Sequence, residues 1–287
     1  MLAHGLLGFS ELELARWLPP IHYWFGIKDA LAKKGIRVVA TSVPASATIE
    51  QRAARLWEDI ATHAYHSGEG VNIVAHSMGG LDARYMISRL RPPNVKVRSL
   101  VTIATPHHGS AVADFLMDRI GPRYLPRVYN AFERITGLET GAFEQLTTKY
   151  MAETFNPNTP DDPDVRYFSY GAAVRNKPPL LSPFRRSHKI LQRCEGRNDG
   201  LVSVESSKWG SYKGTLVGLN HLDLINWSNR LRWTIKSWMG QPQKYCLPHF
   251  NAFVLAANPW QLQRHCVLSR HRGHACEGRS VMAYRVD

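Results

Sequence analysis

Residues 71–90 constrain this chain more tightly than any other stretch. Val71-Asn72-Ile73-Val74-Ala75 is mostly apolar and β-prone, and it runs directly into His76-Ser77-Met78-Gly79-Gly80. Leu81, Tyr85, Met86 and Leu90 then recur at helical spacing. A strand that turns so abruptly into a helix brings the two backbones almost into contact, so the residues two and three positions from Ser77 must be small. Ala75, Gly79 and Gly80 meet that demand. The same turn exposes the Ser77 hydroxyl at its tip, as a nucleophilic serine requires. A Ser-x-Gly triplet alone is common; the strand before this one and the helix after it give it meaning.

Strand-like and helix-like segments alternate through the first half of the chain. That pattern predicts an α/β fold, a mostly parallel sheet flanked by helices. The spacing predicts a helix over 21–34, a strand over 37–43, a helix over 49–65 and strands over 95–104, 165–170 and 214–217. A last helix is expected over 227–239, with Leu231, Ile235 and Trp238 on one face. Between Gly109 and Asp164 the pattern changes. Leu125, Val128, Phe132 and Ile135 mark an amphipathic helix, and 156–163 reads as a turn-rich loop. An insertion over about 110–164 would lie above the carboxyl ends of the strands, where a helical lid can cover a site. One domain is therefore expected over 1–257. Beyond it periodicity fades, His and Cys accumulate, and a basic, disordered tail is expected over 258–287.

With 287 residues and 21% charged content the chain can bury a full core. No run of about 18 apolar residues suggests a spanning helix, and Glu11 and Glu13 interrupt the early apolar stretch where a signal peptide would lie. Four cysteines are too few for a disulfide framework, which suggests an intracellular location. The Cys and His spacings of the tail fit no paired metal-ligand pattern, so neither metal nor cofactor is expected. The net charge of +13 favours an anionic partner. The Lys and Arg residues are scattered along the chain, apart from short clusters such as Arg185-Arg186, and no nucleic-acid-binding signature accompanies them. An anionic membrane surface is expected, and no nucleic acid.

A serine hydroxyl needs a histidine base and an acid that orients the base. Where the serine sits on such an elbow, acid and base follow it in that order on later loops. His221 comes just after the 214–217 strand and ahead of the last helix. His107 and His108 come too early, and His76 is expected to point away from the site. Asp199, in Asn198-Asp199-Gly200, reads both as an acid and as a turn residue. Glu195, Glu205 and Asp223 remain rivals on order alone. An oxyanion needs two backbone N–H donors. Met78, after the nucleophile, offers one, and His4-Gly5-Leu6-Leu7-Gly8 suggests Leu6 for the other.

Several segments, in this order, resemble the α/β-hydrolase triacylglycerol lipases, most closely the fungal intracellular type related to the bacterial true lipases. They are His4-Gly5-Leu6-Leu7-Gly8, Ser42-Val43-Pro44-Ala45-Ser46, Ala75-His76-Ser77-Met78-Gly79-Gly80-Leu81-Asp82 and Ile103-Ala104-Thr105-Pro106-His107-His108-Gly109-Ser110. Asn198-Asp199-Gly200-Leu201-Val202 and Asn220-His221-Leu222-Asp223-Leu224-Ile225-Asn226 complete the set. The resemblance implies Ser77, Asp199 and His221 as nucleophile, acid and base, with Leu6 and Met78 as oxyanion donors. It implies a lipid ester substrate met at a lipid droplet or membrane, and a mitochondrial or lipid-associated place. A phospholipase, a soluble carboxylesterase or an inactive membrane scaffold is the alternative. The chain departs from the family in three places. Only Met1-Leu2-Ala3 precede the His-Gly motif, as though the first strands were truncated; the tail replaces a terminal helix; and Trp227 stands where secreted members have a calcium-binding glutamine beside Asp223.

Overall fold

The computed structural model describes residues 1–226, apart from 7, 9–10, 13–20, 25, 65–69, 94, 122–140 and 181. In chain order come β1 (Leu2–Ala3), β2 (Glu11–Leu12), β3 (Ile21–His22), α1 (Ile27–Ala32) and α2 (Ile49–Ala64). Next are β4 (Val71–His76), α3 (Gly79–Tyr85) with a π turn (Met86–Leu90), β5 (Val97–Ile103) and α4 (Ala111–Ile120). Then come α5 (Gly141–Gln145), α6 (Thr148–Tyr150), a second π turn (Met151–Phe155) and α7 (Asn156–Asn158). β6 (Arg166–Ala173), α8 (Arg185–Cys194), β7 (Ser211–Val217) and a 3-10 turn (Asp223–Ile225) complete the set.

Five strands make one sheet in the order β1-β4-β5-β6-β7, and every pairing in it is parallel. Both faces are covered, and β4 and β5 are accordingly buried without alternation through residues 73–76 and 99–103. Alternate residues go to opposite sides: Leu2, Val74, Val101 and Ala172 to one core, Ala3, Ile73, Ala75 and Leu100 to the other. The α/β prediction holds. β2 and β3 form a separate antiparallel ribbon.

The predicted strand over 37–43 shrinks to one parallel bridge between Ala40 and Leu2. Its hydrogen bonds run from Leu2 N–H to the Val39 carbonyl and from Thr41 N–H to the Leu2 carbonyl, at 2.8 and 3.0 Å. β1 has only two residues, so a neighbour finds too little backbone to extend a ladder. The predicted helix over 21–34 starts late, at Ile27, because Ile21 and His22 are taken by β3. The expected loop over 156–163 begins instead as helix. Pro157 is tolerated in a first turn, while Asn156 accepts from Arg84 Nη1 and donates to the His107 carbonyl, both at 2.9 Å. The amphipathic stretch 125–135, the helix over 227–239 and the tail lie outside the described residues.

Candidate active site

The elbow forms as its sequence requires. Ser77 follows β4 with φ 56°, a left-handed conformation that a non-glycine residue holds only under constraint. Its N–H donates to the Ile103 carbonyl at 3.0 Å, and its carbonyl accepts from Thr105 Oγ1 at 2.7 Å. Both partners belong to β5 or the turn after it, so the neighbouring strand sustains the strain. A Cβ on Gly79 would lie 2.6 Å from the His4 carbonyl oxygen, and one on Gly5 would lie 2.7 Å from Ser77 Cβ. Those two glycines let the early loop press against Ser77.

β7 delivers His221. Asp199 arrives by a less direct route: it follows α8, but the Asn198 carbonyl accepts from Val174 N–H at 3.0 Å, which returns its loop to the end of β6. Asp199 Oδ2 accepts from His221 Nδ1 at 2.7 Å, with both side chains buried. Asp199 Oδ1 accepts from the N–H groups of Leu201 and Val202 at 2.9 and 2.8 Å. One carboxylate oxygen of Asp199 thus holds the turn and the other meets His221. With its proton on Nδ1, His221 keeps the Nε2 lone pair for a base.

The rival carboxylates are occupied elsewhere. Glu195 accepts from Ala111 N–H and the Ser203 hydroxyl, Glu205 pairs with Lys208, and Asp223 caps the Asn220 N–H. His107 is buried beside Thr102 and Arg84 and does not reach the site.

Ser77 and His221 line one cavity of about 420 Å³ whose wall is almost wholly apolar, including Leu116, Phe143, Leu146, Phe184 and Ile225. No hydrogen bond joins Ser77 to His221 among the described residues; catalytic contacts often tighten only with substrate bound. Leu6 also lines this cavity. Met78 precedes α3, whose N-terminal dipole favours negative charge at that point. Of the described elements of the 110–164 insertion, α4 and α5 supply Ala113, Leu116 and Phe143 to the wall.

His76 corrects the expectation that it points away from the site. Its ring packs 4.5 Å from that of His221, and its Nδ1 shares a hydrogen bond of 2.7 Å with the Tyr23 hydroxyl. The Tyr23 oxygen in turn accepts from Gly5 N–H at 3.1 Å. Burial, then the nearby His221, holds the His76 pKa well below its usual value. Arg52, fully buried, donates to Asp82 at 2.8 Å and to the carbonyls of His4 and Pro44 at 3.0 and 2.5 Å.

Neither Tyr23 nor Arg52 was visible as functional in the sequence. Arg52 did leave a signal. It interrupts the apolar stripe Ile49, Ala53, Leu56, Ile60 of α2, and a cation on a buried face must have a partner. Tyr23 left none.

The chain belongs to the family of the alpha/beta hydrolase fold, whose model matches residues 1–182. It is similar to Triacylglycerol lipase 2 of Saccharomyces cerevisiae, 41% identical over 225 residues, which cover 74% of this chain and 64% of that one. The chain thus spans less than two thirds of the yeast relative. A triacylglycerol lipase of Vibrio cholerae is 34% identical over 256 residues, covering 79% and 78%. The crystal structure of Staphylococcus hyicus lipase shares the fold, with a TM-score of 0.64 at 18% identity over 93% of this chain and 96% of that one. These relatives bear out the resemblance to triacylglycerol lipases.

Proposed function

We propose that the protein is a serine carboxylic ester hydrolase that cleaves acylglycerols, a triacylglycerol lipase. The observation that carries this reading is the Asp199–His221 hydrogen bond beside Ser77 in an apolar cavity. An acyl chain gains free energy on entering such a cavity, and the ester carbonyl is left at the serine. His221 Nε2 takes the Ser77 proton as Oγ attacks the carbonyl carbon. Asp199 holds the imidazole and stabilises the imidazolium. The N–H groups of Leu6 and Met78 stabilise the tetrahedral oxyanion. The imidazolium returns its proton to the departing glyceride alkoxide, leaving an acyl-enzyme on Ser77. Water, deprotonated by His221, releases the fatty acid. The chain's own groups suffice, without cofactor or metal.

The substrate-bearing partner in this proposal is a lipid droplet or an anionic membrane surface, supported by the +13 charge. A mitochondrial or lipid-associated location belongs to the same proposal and rests on the resemblance alone; subcellular fractionation tests it. The enzymatic test is Ser77→Ala. Hydrolysis of emulsified triacylglycerol and fluorophosphonate labelling should both vanish, with the thermal unfolding profile retained. Labelling at the wild-type rate would remove Ser77 as nucleophile. Activity that rises as the substrate passes from monomer to emulsion favours a lipase over a soluble esterase.

A further inference from the structure

Charge that is dispersed along the sequence is gathered by the fold beside the catalytic cavity. Residues 174–194 contain Arg175, Lys177, Arg185, Arg186, Lys189 and Arg193, and no acidic residue. α8 places Arg185, Lys189 and Arg193 at successive intervals of four, on one helical face. With Lys177, His188 and Gln192 they line a second cavity, of about 360 Å³.

None of these cations forms an ion pair with a described residue. Arg185 donates to the Pro178 carbonyl at 2.9 Å. The next carboxylate along the chain, Glu195, is turned toward α4 and Ser203. Like charges at i,i+4 destabilise a helix, and no described carboxylate pairs with them.

The same helix adjoins the catalytic cavity. Phe184 is the N-cap residue of α8 and a wall residue of that cavity. α4 packs against α8 and carries Phe115 and Leu116, 43% and 42% exposed. Leu180, close in sequence to Pro178 of the basic cavity, is 77% exposed. These three are the exposed large apolar side chains among the described residues. Cations and exposed apolar side chains thus share one edge of the molecule, the pairing that an interfacial surface shows.

We infer that this edge docks on an anionic phospholipid surface. Phosphodiester headgroups enter the groove formed by Lys177, Lys189 and Arg193, and Leu180, Phe115 and Leu116 reach the acyl boundary. Docking in this way turns the mouth of the catalytic cavity toward the lipid, and only that consequence rests on the hydrolase reading. A nucleic acid would satisfy the cations but would leave the aliphatic side chains in water, so the lipid surface is the better match.

The test uses the full chain carrying Ser77→Ala, so that no lipid is consumed. It measures co-sedimentation with vesicles of phosphatidylcholine alone and of phosphatidylcholine with phosphatidylglycerol. Tighter binding to the anionic vesicles, weakened by salt, is expected. Each cation near such a surface contributes about fivefold in partitioning, so Lys177→Gln, Lys189→Gln and Arg193→Gln together should weaken it on the order of 100-fold. On the active background the triple variant should cleave a dissolved short-chain ester at the wild-type rate and unfold no lower than the wild-type temperature, since it relieves like-charge repulsion on α8.

Undiminished vesicle binding by the triple variant would overturn the inference. So would release of the chain from vesicles by inorganic phosphate at matched ionic strength, or a triple variant that loses duplex DNA binding alone. Failure of the hydrolase reading would look different: the dissolved ester would remain uncleaved while anionic vesicles were still bound.

Discussion

The imidazoles of His76 and His221 lie 4.5 Å apart, centroid to centroid, tilted by 43°. The Tyr23 hydroxyl and His76 Nδ1 share a hydrogen bond of 2.7 Å. Burial keeps His76 neutral, so no second positive charge opposes the imidazolium that forms on His221. His221 therefore rests on a neutral ring that is itself tied, through Tyr23, to the loop bearing Leu6.

Tyr23→Phe should lower kcat for a dissolved ester by about tenfold with little change in KM, because one buried hydrogen bond to the oxyanion loop is worth about 1–3 kcal/mol when its partner is left unsatisfied. Steady-state kinetics checks this. A change confined to KM would mean that Tyr23 only shapes the cavity.

Asp199→Asn should lower kcat by about 10⁴-fold, since an amide favours the wrong tautomer of His221. Its carbonyl oxygen can still accept from Leu201 and Val202, so the thermal midpoint should barely move. Asp199→Ala loses the turn as well and should also lower the midpoint. Equal midpoints in the two variants would show that the turn does not depend on the carboxylate.

Arg52→Met leaves Asp82 buried and unpaired and abandons the His4 and Pro44 carbonyls. It should cost about 3–5 kcal/mol in denaturant unfolding. Adding Asp82→Asn removes the orphaned charge and should recover part of that loss. A double variant no more stable than Arg52→Met would refute the charge argument.

Stability should fall on acidification. The His4 pKa is lowered to about 4, by burial first and by Arg52 second. His76 and His107 are also lowered, with burial the largest cause. Unfolded histidines take up protons near pH ~6.5, whereas these three do so only well below that. The unfolded state therefore binds more protons as pH falls. The stability present above about 6.5 drains away, by about 3 kcal/mol for His4 alone at pH ~4. Asp82, raised to about 6 by burial, works in the opposite sense between about pH 4 and 6 and offsets part of one histidine. Denaturant midpoints measured from neutral pH down to about 4 should decline; a flat or rising series would contradict the buried neutral histidines.

The sequence by itself determined the elbow and the α/β class, and it offered Asp199 among several acids between Ser77 and His221. Those features are local: small residues where two backbones touch, apolar runs in buried strands, and turn chemistry at Asp199. Tertiary structure alone decided the surroundings. Tyr23 meets Gly5 across 18 residues and His76 across 53, and Arg52 reaches His4 across 48. No periodicity encodes contacts of that span. The stripe on α8 escaped for a related reason. Prolines at 178, 179 and 183 obscured the helix, so cations that look scattered along the chain were not seen to share a face. The length of strand 37–43 was likewise set by its partner, because a β-ladder extends only as far as both chains run together.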